Sequence, residues 1–506
     1  MTSRASSSLD LSDEAIRQAI IARELRMMSQ EYSDLQKPRS YYDGEQTLVY
    51  ATEKFIEQFG TQFKGFRDNW MRVVIDTMTD KMELQGIHIG PPGERDPNLS
   101  SLLWSQFLRN DIDELQSDIW EGATIEGHTS LIIWPDGKGG VKIDWNPAQL
   151  IRVRYSDDDP KVPAYATKRW ITPDGSTFVT FYTPTAIYKY VEKEGRGEAQ
   201  QSDQVKSPLD TVPETGSTNI LTPRSDDYIL ANPLKRVPVI EFPNKNWRSE
   251  LIDHMPQQDA VNYILQQQMV AAEFGAFKQR VVITSQAEPT GGWKASPGYI
   301  WALKPIFNPD GTVTIPQFGS FDATDPASYT QIVNMYLQHM ALTSKTPVRA
   351  FFESDRGGRG DAASGESLKV EDKPLNDKVM RRQRILGNRA YTAIRLISDI
   401  LPDAPAFDDL PIGEPIWKDP RAEYRMALLE EALKLKELGL PRKYIFKHLG
   451  LTQEEQDEVE KWIEEDQQEA LEQQEEQAAM MAEQEANMPN ETPSASGPGP
   501  SSTPRA

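Results

Sequence analysis

The stretch Asp325-Pro-Ala-Ser-Tyr-Thr-Gln-Ile-Val-Asn-Met-Tyr-Leu-Gln-His-Met-Ala-Leu-Thr-Ser-Lys345 sets the architecture. Asp325 offers a capping acceptor and Pro326 a preset φ, together a helix start. Tyr329, Ile332, Val333, Tyr336, Leu337, Met340 and Ala341 then follow the i, i+3, i+4, i+7 rule, and no charged residue stands between Asp325 and Lys345. Gln331, Asn334, Gln338 and His339 exclude a membrane span, yet a solvated helix face would carry Lys and Glu. The pattern predicts a helix packed against copies of itself.

Upstream, Pro256 to Gln279 reads as a partner helix about 36 Å long at 1.5 Å per residue. Val261, Ile264, Leu265 and Met269 make its apolar stripe, and Gln257, Gln258, Gln266, Gln267 and Gln268 its uncharged back. Residues 281–323, with Val281-Val-Ile283, Pro297 to Leu303, the turn Asn308-Pro-Asp-Gly311 and Val313-Thr-Ile315, read as strands and turns. Helix, β module and returning helix predict a stalk with a tip. Downstream, the Gly-rich run 354–365 is a flexible loop by composition. It feeds a helix over Glu366 to Leu401 that Pro374 should kink. The middle of that helix is basic, with Lys378, Arg381, Arg382, Arg384, Arg389 and Arg395.

Toward the N-terminus, helices are expected within the first 37 residues, with Ile16, Ile20, Ile21 and Leu25 at helical spacing and Ser12 as cap, over Phe66–Leu84, and from Asp96 through Ile119. From 129 to 190 short β-branched and aromatic runs alternate with turns, two of them Pro-Asp-Gly, which predicts hairpins. Residues 192–227 read as a mobile loop. Residues 402–420 hold five prolines and a short strand near Ile416-Trp417. Helices resume at Arg421 and pause at Gly439-Leu-Pro441, with Leu429, Leu433, Tyr444, Ile445 and Leu449 as their core; the last 20 residues are disordered by composition. The fold class is α+β.

The 506 residues carry 55 Lys and Arg against 77 Asp and Glu, a net charge of −22. Residues 454–485 hold 14 of those acids and one lysine, so the rest of the chain carries −9 and has room for local basic surfaces. This balance argues against a sequence-reading DNA binder, whose affinity comes largely from cations on phosphates. The absence of cysteine excludes disulfides and thiolate chemistry. No apolar window reaches membrane length, and no export signal is read.

Catalytic and metal motifs are missing. Gly360 to Ser367 has the spacing of a phosphate loop, but Glu366 occupies the lysine position and would repel the phosphates, so a Gly-rich turn before a helix is the better reading. His88, His128, His254, His339 and His448 show no metal-ligand spacing, and His339 suits packing or an interface. Asp157-Asp-Asp159 fits a polar turn better than a calcium site. No cofactor is expected. Arg349, Arg356 and Arg359 around the flexible loop could face phosphates or form ion pairs; the sequence weighs the two evenly.

The order helix, β module, helix, Gly-rich loop, long helix resembles the portal proteins of long-tailed double-stranded DNA phages, in wording close to the branch found in phages of actinobacteria. The stretches that carry the likeness are Asp253-His-Met-Pro-Gln-Gln-Asp-Ala-Val-Asn262, Ala271-Ala-Glu-Phe-Gly-Ala-Phe277, Pro297-Gly298 with Ile300-Trp301, Lys345-Thr-Pro347, Ser364-Gly-Glu-Ser-Leu368 and Gly439-Leu-Pro441. They lie within residues 40–465.

The resemblance implies a ring, usually of twelve subunits, at one capsid vertex, through which double-stranded DNA passes without sequence specificity. It implies no enzyme and no membrane. The partners implied are a terminase motor, a head-tail adaptor, and the major capsid and scaffolding proteins, with assembly in the host cytoplasm and residence in the virion. By position, 1–246 would be an N-terminal wing, 247–280 and 324–346 the stem, 281–323 the clip, 347–364 the tunnel loop, 365–420 the long wing helix with its return segment, 421–486 the crown and 487–506 a disordered tail. Arg349, Arg356 and Arg359 would then face the DNA channel. Val261, Ile264, Leu265, Ile332, Val333, Tyr336, Leu337 and Met340 would make the stem contacts between subunits, and Trp293, Tyr299 and Trp301 would meet the adaptor. A different ring-forming connector is the runner-up reading, and a packaging enzyme the third.

Overall fold

The computed structural model describes residues 13–47, 67–91, 93–193, 220–225, 228–276, 280–283, 305–315, 317–320, 326–352, 365–421 and 432–448, with a few isolated positions besides. The chain divides into two compact units, Met1–Tyr424 and Arg425–Ala506.

The first unit is layered. Helix α1 (Glu14–Asp43) covers one face of an antiparallel sheet in the order β4 (Ile151–Tyr155), β5 (Pro163–Ile171), β6 (Thr177–Tyr182), β7 (Ala186–Lys193), β8 (Ile220–Pro223), with β9 (Ile229–Ala231) also on β7. Alternation assigns the two faces. Tyr165, Val179, Phe181, Tyr188 and Tyr190 meet Ile20, Ile21 and Leu25 of α1, while Ala166, Tyr182 and Ile187 point the other way. There they meet Ile132 and Val239 of a second sheet, β10 (Val239–Pro243), β2 (His128–Pro135) and β3 (Val141–Pro147). Buried Glu24 ties α1 to the first sheet, accepting from Arg152 Nε at 2.9 Å and from the Tyr165 hydroxyl at 3.0 Å.

The far face of the second sheet (Leu131, Ile133, Ile240, Phe242) packs on α3 (Pro97–Leu108), α4 (Ile112–Glu126) and the long α8 (Gly365–Ile400). Leu375, Val379, Leu386, Ala390, Ala393, Ile394 and Ile397 form the buried stripe of α8. Each such side chain contributes roughly 1–3 kcal/mol by leaving water. A short pair, β1 (Leu84–Ile89) with β15 (Gly413–Trp417), lies against α8. A Cβ at Gly413 would come 2.5 Å from Tyr391, so only glycine lets this strand approach so closely.

Several expectations are corrected. The cap of α1 is Asp13, whose carboxylate accepts from Ala15 N at 2.8 Å and Ile16 N at 3.3 Å. Helix α2 is only Met71–Thr79, because the chain from Leu84 leaves to pair with β15. The run from Asp96 is two helices, parted where Asp111 turns left-handed at φ 55°. Ile220–Pro223 is a strand on β7 rather than loop; residues 194–219 lie outside the described residues. Helix α8 runs unbroken through Pro374. The carbonyl deprived of its helix donor is that of Val370, a residue 70% exposed, so the helix tolerates the loss on its solvent side. Both Pro-Asp-Gly turns form as expected, with Gly137 and Gly175 at positive φ.

In the second unit, Gly439 ends a helical turn over 432–437. It is left-handed at φ 77°, with Gly439 N–H donating to Lys436 O and Leu440 N–H to Leu435 O. Helix α9 (Arg442–His448) follows. Ile445 is buried, but Leu433 and Tyr444 are exposed, against their expected core role. Leu429, Leu449 and residues 487–506 lie outside the described residues.

Candidate functional site

Helices α5 (Met255–Ala276) and α6 (Pro326–Ser344) pair as the sequence predicts, and their near ends sit in a core shared with the layered body. Val261 (0% exposed), Leu337 (3%), Val333, Met340 and Ala341 are buried with Tyr41, Met71, Val74, Ile75 and Phe351. Ile264, Leu265 and Tyr336 pack against the same cluster. Of the expected subunit contacts, Val261, Val333, Leu337 and Met340 are thus covered within the chain by α1 and α2, while Ile264, Leu265 and Tyr336 are only half-buried. Ile332 is the exception among the expected contacts, 40% exposed, and Met335, Leu342 and Tyr263 are exposed as well. These four give the hairpin its uncovered apolar surface. His339 is exposed as well.

Part of the uncharged back of α5 has an internal use. Gln258, Asn262 and Gln266, spaced by four, are buried. Gln258 accepts from Trp70 N at 2.9 Å and donates to Asp68 O at 2.6 Å, while Asn262 accepts from Asp68 N at 2.9 Å. The amides satisfy the irregular backbone leading into α2, where a charged side chain would carry an uncompensated desolvation cost.

Where the hairpin joins α8, an ionic cluster clamps three segments. Glu250, in the turn before α5, lies 3.0 Å from Lys378 Nζ and accepts from Arg382 Nε at 2.9 Å. Lys378 also donates to Ser344 O, the last residue of α6, at 3.1 Å. Asn244 adds a donor to Glu250 at 3.0 Å. Burial alone would raise the Glu250 carboxyl, but Lys378 and Arg382 outweigh it and hold its pKa at about 2. Burial lowers the pKa of Lys378. The basic middle of α8 is thus partly consumed inside the chain.

Arg349 opens the short helix α7 (Arg349–Phe352) and meets Asp372 of α8 at 2.5 Å and Glu371 at 3.6 Å. Asp372 is fully buried, so Arg349 anchors α7 to α8 within the chain. Arg356 and Arg359 lie outside the described residues, as do Trp293, Tyr299 and Trp301. The module between α5 and α6 shows two antiparallel pairs, β11 (Arg280–Ile283) with β14 (Gln317–Ser320) and β12 (Ile306–Phe307) with β13 (Val313–Thr314). The second pair turns at Gly311, φ 83°, where Asp310 accepts from Thr312 N at 2.9 Å. Phe307 and Ile315 are exposed there.

Sequence reasoning missed Glu250 and the Gln258–Asn262 pair. The four-residue spacing of Gln258, Asn262 and Gln266 was the only available sign; nothing local marks Glu250. Among the described residues no three His, Cys, Asp or Glu could hold a metal ion together, and no helix is long and apolar enough to cross a membrane.

Residues 22–472 match the family described as phage portal protein, SPP1 Gp6-like. A portal protein of Mycobacterium phage D29 is 22% identical over 466 residues, covering 86% of each chain. Among solved structures, the neck of an empty gene transfer agent particle is similar over 80% of this chain and 95% of that one, at 12% identity and a TM-score of 0.41. A chain of a native gene transfer agent virion gives the same coverage and identity with a TM-score of 0.39. These structural likenesses are too loose to place any residue.

Proposed function

Since the chain belongs to the SPP1 Gp6-like family of phage portal proteins, we propose that it assembles into a closed ring at one vertex of the capsid and forms the channel through which double-stranded DNA enters and leaves. The ring would have about twelve copies, as the resemblance implies. The observation that supports assembly is the stem hairpin: α6 carries no charged side chain, yet Ile332, Met335 and Leu342 stand exposed on it. A helix surface that lacks both charge and cover is stabilised when a neighbouring copy removes it from water.

DNA passes without sequence readout in this reading. A chain of net charge −22 repels phosphates overall, so a moving duplex is guided and not gripped. Arg356 and Arg359, in the Gly-rich run between α7 and α8, supply weak, salt-screened attraction. Residues 281–323 meet the packaging motor and the head-tail adaptor, the wing meets capsid and scaffolding proteins, and the complex is assembled in the host cytoplasm and retained in the virion. Native mass spectrometry of the purified chain tests the ring directly. Closed assemblies of one fixed copy number are expected; a monomer at every concentration removes the reading.

A further inference from the structure

We propose that the pocket where α5, α6 and α8 converge is a binding site for a phosphate group. The pocket encloses about 270 Å³ beside the Glu250 cluster. Six cations line it: Lys245, Arg248, Lys345, Lys378, Arg381 and Arg382. Only two carboxylates face them. Asp253 is taken by Arg248 at 2.6 Å, and Glu250 is shared by Lys378 and Arg382. Lys245, Lys345 and Arg381 have no ion-pair partner among the described residues, in a chain whose overall charge is −22. So many uncompensated cations around one concavity raise the local potential and draw in an anion.

Two backbone outliers stand on the rim of the same pocket. Lys345 has φ 64° and Asn246 φ 58°. A lysine in the left-handed region costs roughly 1 kcal/mol where glycine would not. At the end of α6 that conformation accompanies a lysine that lines the pocket. The lining donors suit a phosphate better than a carboxylate: ammonium and guanidinium groups from separate elements match several oxygens and up to two negative charges on one centre. The phosphate could be a group of the nucleic-acid backbone or free inorganic phosphate. The proposal stands on this pocket and not on ring formation.

The test is calorimetric titration of the purified full-length chain with inorganic phosphate at fixed ionic strength, repeated on the triple variant Lys245→Gln, Lys345→Asn, Arg381→Gln. All three positions are exposed and none touches Glu250, so the variant should keep its melting temperature; Arg381→Gln alone serves if it does not. Saturable binding is expected, weakened about tenfold or more in the variant. A short DNA duplex that competes with phosphate identifies the backbone as the source; a duplex that does not compete identifies free phosphate. Absence of phosphate binding, equal binding by the variants, or displacement by acetate as readily as by phosphate would overturn the site. Loss of the ring with retained phosphate binding would count against the proposed function alone.

Discussion

The Glu250 carboxylate lies 3.0 Å from the Lys378 ammonium, and this contact joins the turn before α5 to the long helix α8 that crosses the layered body. Because Lys378 also holds the last carbonyl of α6, one buried charge pair sets where both α5 and α6 join the body. Glu250→Gln would leave Lys378 and Arg382 sharing a neutral amide where their side chains are largely buried. A loss of about 3–5 kcal/mol is expected, read by denaturant unfolding. The wild type should also lose stability in acid. With the folded pKa near 2 and the unfolded one at 4.5, the contribution is whole above pH 4.5 and disappears as pH falls toward 2. The variant should lack that part of the acid slope; an unchanged slope would show that the pair does not hold the junction.

A second buried pair works through opposing slopes. His128 Nε2 lies 4.0 Å from Glu241 Oε1, and the Tyr155 hydroxyl donates to Glu241 at 2.7 Å. Burial raises Glu241 to about 7 and lowers His128 to about 4. The Glu241 contribution is present below pH 4.5 and lost as pH rises to 7. His128 does the reverse: unfolding takes up a proton below pH 6.5, so its contribution is lost as pH falls toward 4. Between 4.5 and 6.5 the two nearly cancel. Glu241→Gln should expose a stability that climbs with pH across that window, by up to about 3 kcal/mol, in chemical denaturation at several pH values.

Burial separates folding from assembly on α6. Leu337→Glu places a charge in the chain's own core and should cost more than about 3 kcal/mol, lowering the melting temperature of the subunit itself. Ile332→Glu changes an exposed position and should leave subunit stability nearly unchanged while dispersing the assembly, as size-exclusion chromatography with light scattering would show. Intact rings from the Ile332 variant would place the subunit contact elsewhere.

Pro374 interrupts the hydrogen bonds of α8 without breaking the helix. Restoring the donor with Pro374→Ala should therefore stabilise the protein, by about 1–3 kcal/mol. A lower melting temperature for this variant would mean that the proline shapes a bend the packing needs.

Arg356→Ala combined with Arg359→Ala should leave ring assembly intact and reduce the DNA packaged or retained per particle. Normal packaging with a weakened ring would make the two arginines ion-pair partners between subunits.

Local spacing carried the order of elements. The i, i+3, i+4, i+7 run of α6, the Pro-Asp-Gly turns and the strand block from 129 to 190 were legible because each depends on contacts or dihedrals within a few residues. That order also carried the family resemblance. Periodicity shows that a face is apolar but not what covers it, so Val333 and Leu337 looked like subunit contacts until α1 and α2 were seen over them. The same limit hid the β1–β15 pair, too short to be stable without a partner from the far end of the first unit. It hid Glu250, one acid among 77, and it hid the internal use of Arg349. Pairing across long loops costs chain entropy that only the assembled core offsets, so those contacts exist nowhere but in the tertiary structure.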